Sequence, residues 1–315
     1  MTRPLLVVLS LVLWAARVPT AQQAAGPSPD ELVSSWTLTS IERGVAGPTP
    51  ERVMNARGLL VFDAAGHAYE FFTSASRQAP EAWQADPLRA FASYGGFWGG
   101  YRVDVAQKRI TFKAEGAISP NVMGREFSRT FEQTRDRLTM TSVDEPHAQG
   151  GTRWTWERVP TVDNLSPFYR QVVGFWEHVV EKRVNLTTGA VISESKRSPS
   201  VIIYTPGGFV GVHFPPLNRK AFAAETPTAD EARAALMGYV GYFGALTVYP
   251  GQVFHNVLAG VSPAAGTTLK RFADLSGSEV TVRFPPTTNQ QGQQTTTLVT
   301  LRRLSGEAEM LPRRR

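Results

Sequence analysis

The sequence contains an internal repeat of domain size. The stretch GLLVFDAAGH, which begins at Gly58, is matched 142 positions later by SVIIYTPGGF, which begins at Ser200. AFASYGGFWGGYRVD and ALMGYVGYFGALTVY form a second pair, and RWTWERV and LVTLRRL form a third. In all, six matched segments follow in the same order at offsets of about 140 to 145 residues. We therefore interpret the chain as a tandem duplication of one domain, since a solenoid would need many short repeats.

The length and composition suit two ordinary globular domains. The 315 residues divide into two units of about 140 each, with 42% hydrophobic and 19% charged residues. Cysteine is absent, which excludes disulfides, thiolate zinc sites and cysteine nucleophiles. Only five histidines occur, so we expect no metal site, and no motif indicates a cofactor.

Each copy is predicted to consist mainly of β-strands. In RWTWERV the side chains of Trp154 and Trp156 share one face, and the residues between and beside them share the other. Turn signals such as DAAG and TPGG separate short strands at spacings near ten residues. This pattern is typical of an all-β sandwich or barrel and does not distinguish the two.

One short helix is predicted in each copy. Thr228 and Glu231 have the spacing of a capping box at the start of TADEARAALMGYV. In the first copy, Asp86 can cap a helix whose first position is Pro87, where the missing N–H has no cost.

The N-terminus has the features of an export signal. Arg3 precedes an apolar core of ten residues, LLVVLSLVLW, and a small-residue region follows with a cleavage position after Ala21. Ten apolar residues are too few to span a bilayer as a helix. We therefore expect a secreted or periplasmic protein with no integral membrane segment once the signal is removed.

These features divide the chain into six parts. We expect a signal peptide (1–21), a flexible leader (22–30), a first domain (31–160), a linker (161–169), a second domain (170–304) and a basic tail (305–315). The net charge is +6. It does not indicate a nucleic-acid partner, because no basic run is interleaved with stacking aromatics.

The motifs of both copies resemble those of the bacterial and fungal lipocalin-like domain proteins. In the first copy the similar stretches are FWGGYRVD (residues 97–104) and SPNVMGREFSRTFEQTRDRLT (residues 119–139), and in the second copy GFW (residues 174–176). The resemblance covers nearly all of the chain that follows the signal. It implies two tandem antiparallel lipocalin-like β-barrels, each just wide enough inside for one small ligand.

Two glycine-aromatic strands are the first candidates for a ligand site. Glycines beside aromatic rings in a strand allow a ligand or another backbone to approach closely, and a cavity lined by such rings suits an apolar small molecule. Alternatively, the glycines only allow barrel curvature and tight helix packing. The candidate ligand-binding residues are Tyr94, Phe97, Trp98 and Tyr101 in the first copy and Tyr239, Tyr242 and Phe243 in the second.

Two histidines are further candidates. His255 alternates with Val253 and Val257, so it shares a strand face with apolar residues. It can contact a ligand or act as a general base, or it can be a hydrogen-bonded core residue. His213 follows GGFVGV on the return strand of a hairpin and is a candidate ligand contact.

Two arginines complete the candidate set. Arg129 and Arg271 occupy near-equivalent places, each shortly before a phenylalanine. Inside a barrel, an arginine can anchor a carboxylate or another oxygen-rich head group. The alternative is that both side chains point outward into solvent.

We predict from these observations a protein that binds or sequesters a small, mostly hydrophobic molecule in a barrel cavity. One alternative is an isomerase- or cyclase-type enzyme that acts on a small apolar substrate inside the barrel, with His255 as its acid–base residue. Another is a structural scaffold with filled barrels and an exposed apolar patch. GxSxG, HExxH and phosphate-binding glycine loops are absent from the sequence.

Overall fold

The computed structural model describes residues 29–74, 85–145, 150–196, 199–261 and 265–312. Within these ranges each copy of the repeat forms one antiparallel sheet that closes on itself. The predicted all-β class and the two tandem barrels are therefore confirmed. The predicted signal peptide (1–21) and most of the leader (22–30) lie outside the described residues.

Barrel 1 is an eight-stranded ring with one additional strand. The strands pair in chain order from β3 to β9, and β1 pairs with both β3 and β9 and so closes the ring, while β2 pairs only with the end of β1. Its strands are β1 (Ser34–Arg43), β2 (Glu51–Val53), β3 (Arg57–Phe62), β4 (His67–Thr73), β5 (Tyr94–Asp104), β6 (Arg109–Ala117), β7 (Glu126–Gln133), β8 (Arg137–Ser142) and β9 (Thr152–Arg158).

Barrel 2 repeats this order with β10 and β19 as the closing pair. Two short strands, β11 and β18, lie beside the ring. Its strands are β10 (Gly174–Asn185), β11 (Val191–Ser195), β12 (Val201–Tyr204), β13 (Phe209–Phe214), β14 (Val240–Tyr249), β15 (Gln252–Gly260), β16 (Thr268–Ser276), β17 (Glu279–Arg283), β18 (Thr287–Thr288) and β19 (Gln294–Arg303).

The first strand of each barrel carries a β-bulge in its pairing with the last strand. The register against the last strand shifts between Leu38 and Ser40 in barrel 1, and between His178 and Val180 in barrel 2. A bulge bends a strand and increases its twist. Along the other edge, the first half of the strand pairs with the next ring strand and the second half pairs with the short accessory strand.

Both predicted helices are present, and each barrel has a second one that the sequence analysis did not predict. The Asp86 side chain caps α2 by accepting from the Arg89 N–H, and Thr228 and Glu231 form the capping box of α4. Within the described residues the helices are α1 (Pro29–Leu32), α2 (Pro87–Ala92), α3 (Pro167–Val172) and α4 (Ala229–Leu236), with 3-10 turns at Pro120–Val122 and Glu307–Met310. None of the helices in the described part of the chain is long and apolar enough to cross a bilayer.

The short helices α1 and α3 close one end of each barrel in the same way. The indole of Trp36 donates to the Leu32 carbonyl at 3.0 Å, and that of Trp176 donates to the Val172 carbonyl at 2.7 Å. Both indoles are fully buried, and an arginine guanidinium from the last strand lies 4.2 Å from each ring. This end is therefore filled by the protein itself, which leaves the opposite end as the mouth.

A third apolar core lies between the two barrels. It is built from outward-facing residues of β3–β5 and β12–β14, including Tyr69 and Phe71 of barrel 1 and Tyr239 and Phe243 of barrel 2. The strands at this contact are consequently buried on both faces. The predicted tail also contributes, since Glu309 accepts from the Ala64 N–H at 2.7 Å and Met310 is buried in this core.

Candidate functional site

A cavity of about 520 Å³ lies at the mouth of barrel 1. Its lining is mainly apolar and includes Ile41, Phe72, Phe91, Phe97, Ile118 and Trp154. Glu225, Thr226 and Pro227 of the second copy also line it, so both copies contribute to its wall. Two larger depressions, of about 780 and about 790 Å³, are lined mainly by polar and charged residues and are less suited to an apolar ligand.

Two carboxylates held by one buried arginine form the polar floor of this cavity. Arg129 is fully buried and donates to Glu70 at 2.5 and 2.9 Å and to Glu145 at 2.7 and 2.8 Å. These bonds use four of its five N–H groups. The carboxylates that Arg129 anchors therefore belong to the protein itself, and both of them line the cavity.

Burial and ion pairing act against each other in this cluster. Burial alone lowers the pKa of Arg129, but the adjacent charges of Glu145 and Glu70 raise it well above its ordinary value. The pKa of Glu70 is raised by burial, although Arg129 opposes that rise. Arg129 also stacks on Trp154, with its Cζ atom 3.9 Å from the ring centroid. The guanidinium is thus charged and immobilised behind the two carboxylates that line the cavity.

Barrel 2 has a different polar group in its interior. His255 lies between two tyrosines, with Nε2 at 3.1 Å from the Tyr204 hydroxyl and Nδ1 at 2.7 Å from the Tyr242 hydroxyl. Burial lowers the pKa of His255 to about 3 and raises that of both tyrosines, so all three are neutral near pH 7. A role as general base would require His255 to break one of these two bonds.

Among the described residues, Arg271 has no counterpart of the carboxylates that hold Arg129. Its Nη1 donates to the Lys270 carbonyl at 2.8 Å, and its Cζ lies 3.8 Å from the ring centroid of Phe284. Burial lowers its pKa, while Tyr242 and Tyr204 raise it. Across the described ranges no acidic side chain forms an ion pair with it, and no cluster of histidine or acidic residues is arranged to hold a metal ion.

His213 lies in the contact between the barrels. Its Nε2 is 3.0 Å from the Glu70 carbonyl and its Nδ1 is 2.5 Å from the Tyr239 hydroxyl. Because a carbonyl can only accept, Nε2 carries the proton and Nδ1 accepts from the tyrosine. Burial lowers the pKa of His213 to about 4. The residue therefore joins barrel 2 to the strand that carries the Glu70 carboxylate.

The glycine-aromatic strands are divided among three locations because alternate side chains point to opposite faces. Phe97 and Tyr94 line the barrel 1 cavity, Tyr94 also belongs to the core between the barrels, and Tyr101 packs against the interior core of barrel 1. Trp98, Tyr239 and Phe243 belong to the core between the barrels, and Tyr242 lies inside barrel 2. The ligand-binding role of these residues stays a prediction, as it does for Arg129, His213, His255 and Arg271.

Four residues of these clusters were not predicted as site residues from the sequence: Glu70, Glu145, Trp154 and Tyr204. Glu70 carried a usable signal. It alternates with Ala68 and Phe72 in HAYEFFT, so a carboxylate stands on an apolar strand face. Such a charge is almost never fully buried unless it is paired. Arg129 alternates in the same way with Phe127 and Phe131, and the two residues together predict an internal ion pair.

Because His213 and His255 are buried, we expect the free energy of unfolding to fall in mild acid. His213 and His255 are neutral when folded but protonate below about pH 6.5 when unfolded. Their contribution is complete above pH 6.5 and is lost as the pH falls toward about 4 for His213 and about 3 for His255. Over the pH range between its unfolded and folded pKa, we expect protonation of each histidine to lower the free energy of unfolding by on the order of 3 kcal/mol or more. Urea titrations from pH 7.5 to 4 measure this loss.

Histidine variants separate this effect from the general titration of carboxylates. His255→Phe should flatten the slope, since the first copy holds Phe112 at this place. His67→Asn should steepen it. Burial lowers the pKa of His67, but the hydrogen bond and charge of Asp63 raise it overall, so its contribution has the opposite sign. An unchanged slope in His255→Phe would contradict the assignment.

Comparison with known proteins agrees with the repeat and with the fold. A model of the lipocalin-like domain family matches residues 34–159 and again residues 173–303. The two matches coincide with barrel 1 and barrel 2 and together cover most of the chain. No curated protein matches the sequence. Two successive copies of the same family domain, each closed into an eight-stranded barrel, place this chain in the lipocalin-like domain family.

Proposed function

We propose that the protein binds a small, mostly apolar molecule at the mouth of barrel 1. The observation that carries this proposal is the cavity of about 520 Å³ above the Arg129 cluster. Small-molecule sites typically measure about 300 to 1,000 Å³ and have mainly hydrophobic and aromatic walls with a few fixed polar groups. Phe72, Phe97 and Trp154 supply such a wall, and Glu70 and Glu145 supply the polar groups.

The charge of the floor selects the polar end of the ligand. Two carboxylates share one guanidinium, which leaves the cluster with one negative charge when both are ionised. The lone pairs of Glu70 and Glu145 that Arg129 does not use can accept hydrogen bonds. A hydroxyl, amide or amine on an otherwise apolar ligand fits this floor, whereas a ligand carboxylate would be repelled.

Barrel 2 supports this site from outside. Its residues 225–227 form part of the cavity wall, and His213 holds the backbone of Glu70. The ring of Phe222 lies 5.4 Å from that of Phe91 on α2, which brings the second copy to the rim. The scaffold alternative required two filled barrels, and the cavity of barrel 1 does not meet that requirement.

Blocking the rim should weaken binding without disturbing the fold. Ala92 is exposed at the end of α2 and lines the cavity. We expect Ala92→Trp to weaken binding of the apolar fluorophore N-phenyl-1-naphthylamine by about tenfold or more, because the added ring occupies the entrance. A fluorescence titration with wild type and variant measures the loss.

Ala106→Trp is the matched control. Ala106 is exposed in the turn between β5 and β6 and does not line the cavity. This variant should bind the fluorophore as wild type does, and both variants should unfold at the wild-type temperature. Equal affinity for Ala92→Trp and wild type would refute the proposed site.

We further propose that the protein is exported, on the strength of the signal-like residues 1–21. Mass spectrometry of the protein purified from its native host tests both proposals in one experiment. The intact mass should correspond to a chain cleaved near Ala21, and denaturation should release a mostly apolar compound. A full-length mass would refute export, independently of any ligand.

A further inference from the structure

Arg129 and Arg271 stand at the same place in the two barrels, but among the described residues only Arg129 has acidic partners. Arg129 lies opposite Ile110 in the β6–β7 pair, and Arg271 lies opposite Val253 in the equivalent β15–β16 pair. The position of Glu70, opposite Leu60, is occupied in barrel 2 by Val212, opposite Ile202. The duplication therefore retains the guanidinium and replaces its carboxylate with an isopropyl group.

The wall beside this arginine is also changed, from apolar in barrel 1 to polar in barrel 2. By strand register, Phe62, Phe97 and Phe112 of barrel 1 correspond to Tyr204, Tyr242 and His255 of barrel 2. All three polar side chains are at least 96% buried, with relative exposures of 1, 4 and 1%. Burial of polar groups is costly unless each donor finds an acceptor.

In the group formed by Tyr204, His255 and Tyr242, the two tyrosines have one more hydroxyl donor than the imidazole can accept. A neutral imidazole has one N–H donor and one acceptor nitrogen. One tyrosine donates to the acceptor nitrogen, and the other accepts from the N–H and keeps its own proton. Within the described residues, neither Tyr204 nor Tyr242 has a hydrogen bond from its hydroxyl other than the one to His255. A buried donor thus remains without an acceptor.

The interior side chains on the far side of barrel 2 are smaller than those of barrel 1. Three large residues on β7, β8 and β9 are replaced, since Phe131, Met140 and Trp154 correspond to Ala273, Val282 and Val299. Both barrels have the same number of ring strands, so their interiors are of similar width. Barrel 2 therefore fills its interior with less side-chain volume.

We propose that barrel 2 holds a second binding site, for a molecule with a carboxylate group, which pairs with Arg271 and accepts from the free tyrosine hydroxyl. The Glu70 carboxylate marks the position: in barrel 1 the protein itself supplies the anion that barrel 2 takes from a ligand. The side-by-side N–H groups of a guanidinium match a carboxylate in two parallel bonds. This site is independent of the barrel 1 site. The floor of the barrel 1 cavity carries a negative charge, whereas Arg271 carries a positive one.

The proposal can be tested with benzoate and its uncharged analogue benzamide at constant ionic strength. We expect benzoate in the millimolar range to bind wild type and to raise its unfolding temperature, and benzamide to do neither. Arg271→Gln should weaken benzoate binding by about tenfold or more, measured by calorimetric titration. Arg283→Gln is the matched control. Arg283 lies on the neighbouring strand, where its guanidinium stacks on Phe272. The Arg283→Gln variant should bind benzoate as wild type does.

A second variant tests the position of the site. Val212→Glu places a carboxylate where barrel 1 has Glu70, so it should pair with Arg271, retain the fold and abolish benzoate binding. The Ala92→Trp variant, which blocks the barrel 1 cavity, should leave benzoate binding unchanged. The proposal is overturned by an absence of benzoate binding, by equal binding of benzamide, or by equal affinity in Arg271→Gln.

Discussion

Replacing Arg129 with methionine should destabilise the protein by about 3 to 5 kcal/mol, since it leaves two carboxylates inside barrel 1 without their partner. Arg129 and Glu70 are almost completely buried and Glu145 is largely buried. Without the guanidinium, burial raises the pKa of Glu70 further. A group with a raised folded-state pKa loses stability as the pH rises. The deficit in Arg129→Met should therefore grow from pH 5 to pH 8 in urea titrations.

The duplicated barrel provides the control for this prediction. Arg271→Met makes the same chemical change at the same strand position, but no acidic residue among those described pairs with Arg271. We expect a cost of about 1 kcal/mol or less, because no charge is left uncompensated. The double variant Glu70→Val/Arg129→Met imitates barrel 2 and should recover most of the lost stability. Equal losses in Arg129→Met and Arg271→Met would contradict this account of the cluster.

Tyr69→Ala should have an effect of similar size on the contact between the barrels. The fully buried ring of Tyr69 reaches from barrel 1 into barrel 2, where its hydroxyl donates to the Tyr242 carbonyl at 3.0 Å and accepts from the Val212 N–H at 3.2 Å. A Cβ on Gly211 would lie only 2.5 Å from the ring, so the ring fits because that position is glycine. Truncation of a large buried side chain costs about 3 to 5 kcal/mol.

Calorimetry distinguishes this loss from damage within one barrel. In wild type the shared core should make the two barrels unfold in one transition, and in Tyr69→Ala we expect two. Tyr249→Ala is the control, because Tyr249 is 57% exposed and should change stability by less than about 0.5 kcal/mol. A single transition at the wild-type temperature in Tyr69→Ala would show that the contact contributes little.

The histidines illustrate how far the residue pattern could predict the sites. Alternation with Val253 and Val257 correctly placed His255 on an apolar face, and the interpretation as a hydrogen-bonded core histidine matches its position between Tyr204 and Tyr242. His213 also alternates with apolar residues. It nevertheless faces the other barrel, because β13 is buried on both sides. Alternation identifies two faces of a strand, but it does not say which face turns to a barrel interior when both are buried.

The residue pattern was sufficient to predict two copies of one mainly β domain, helices that begin at Thr228 and Asp86, and two equivalent arginines on strands. These features follow from local spacing and from similarity along the chain. Which of the two arginines is paired with acidic side chains depends on how the strands are brought together in three dimensions. Glu70 and Arg129 are 59 residues apart and meet because the barrel closes, while the equivalent pair in barrel 2 lacks its acid. Strand register and closure are long-range properties, and they determine which charges the fold compensates and which remain available to a ligand.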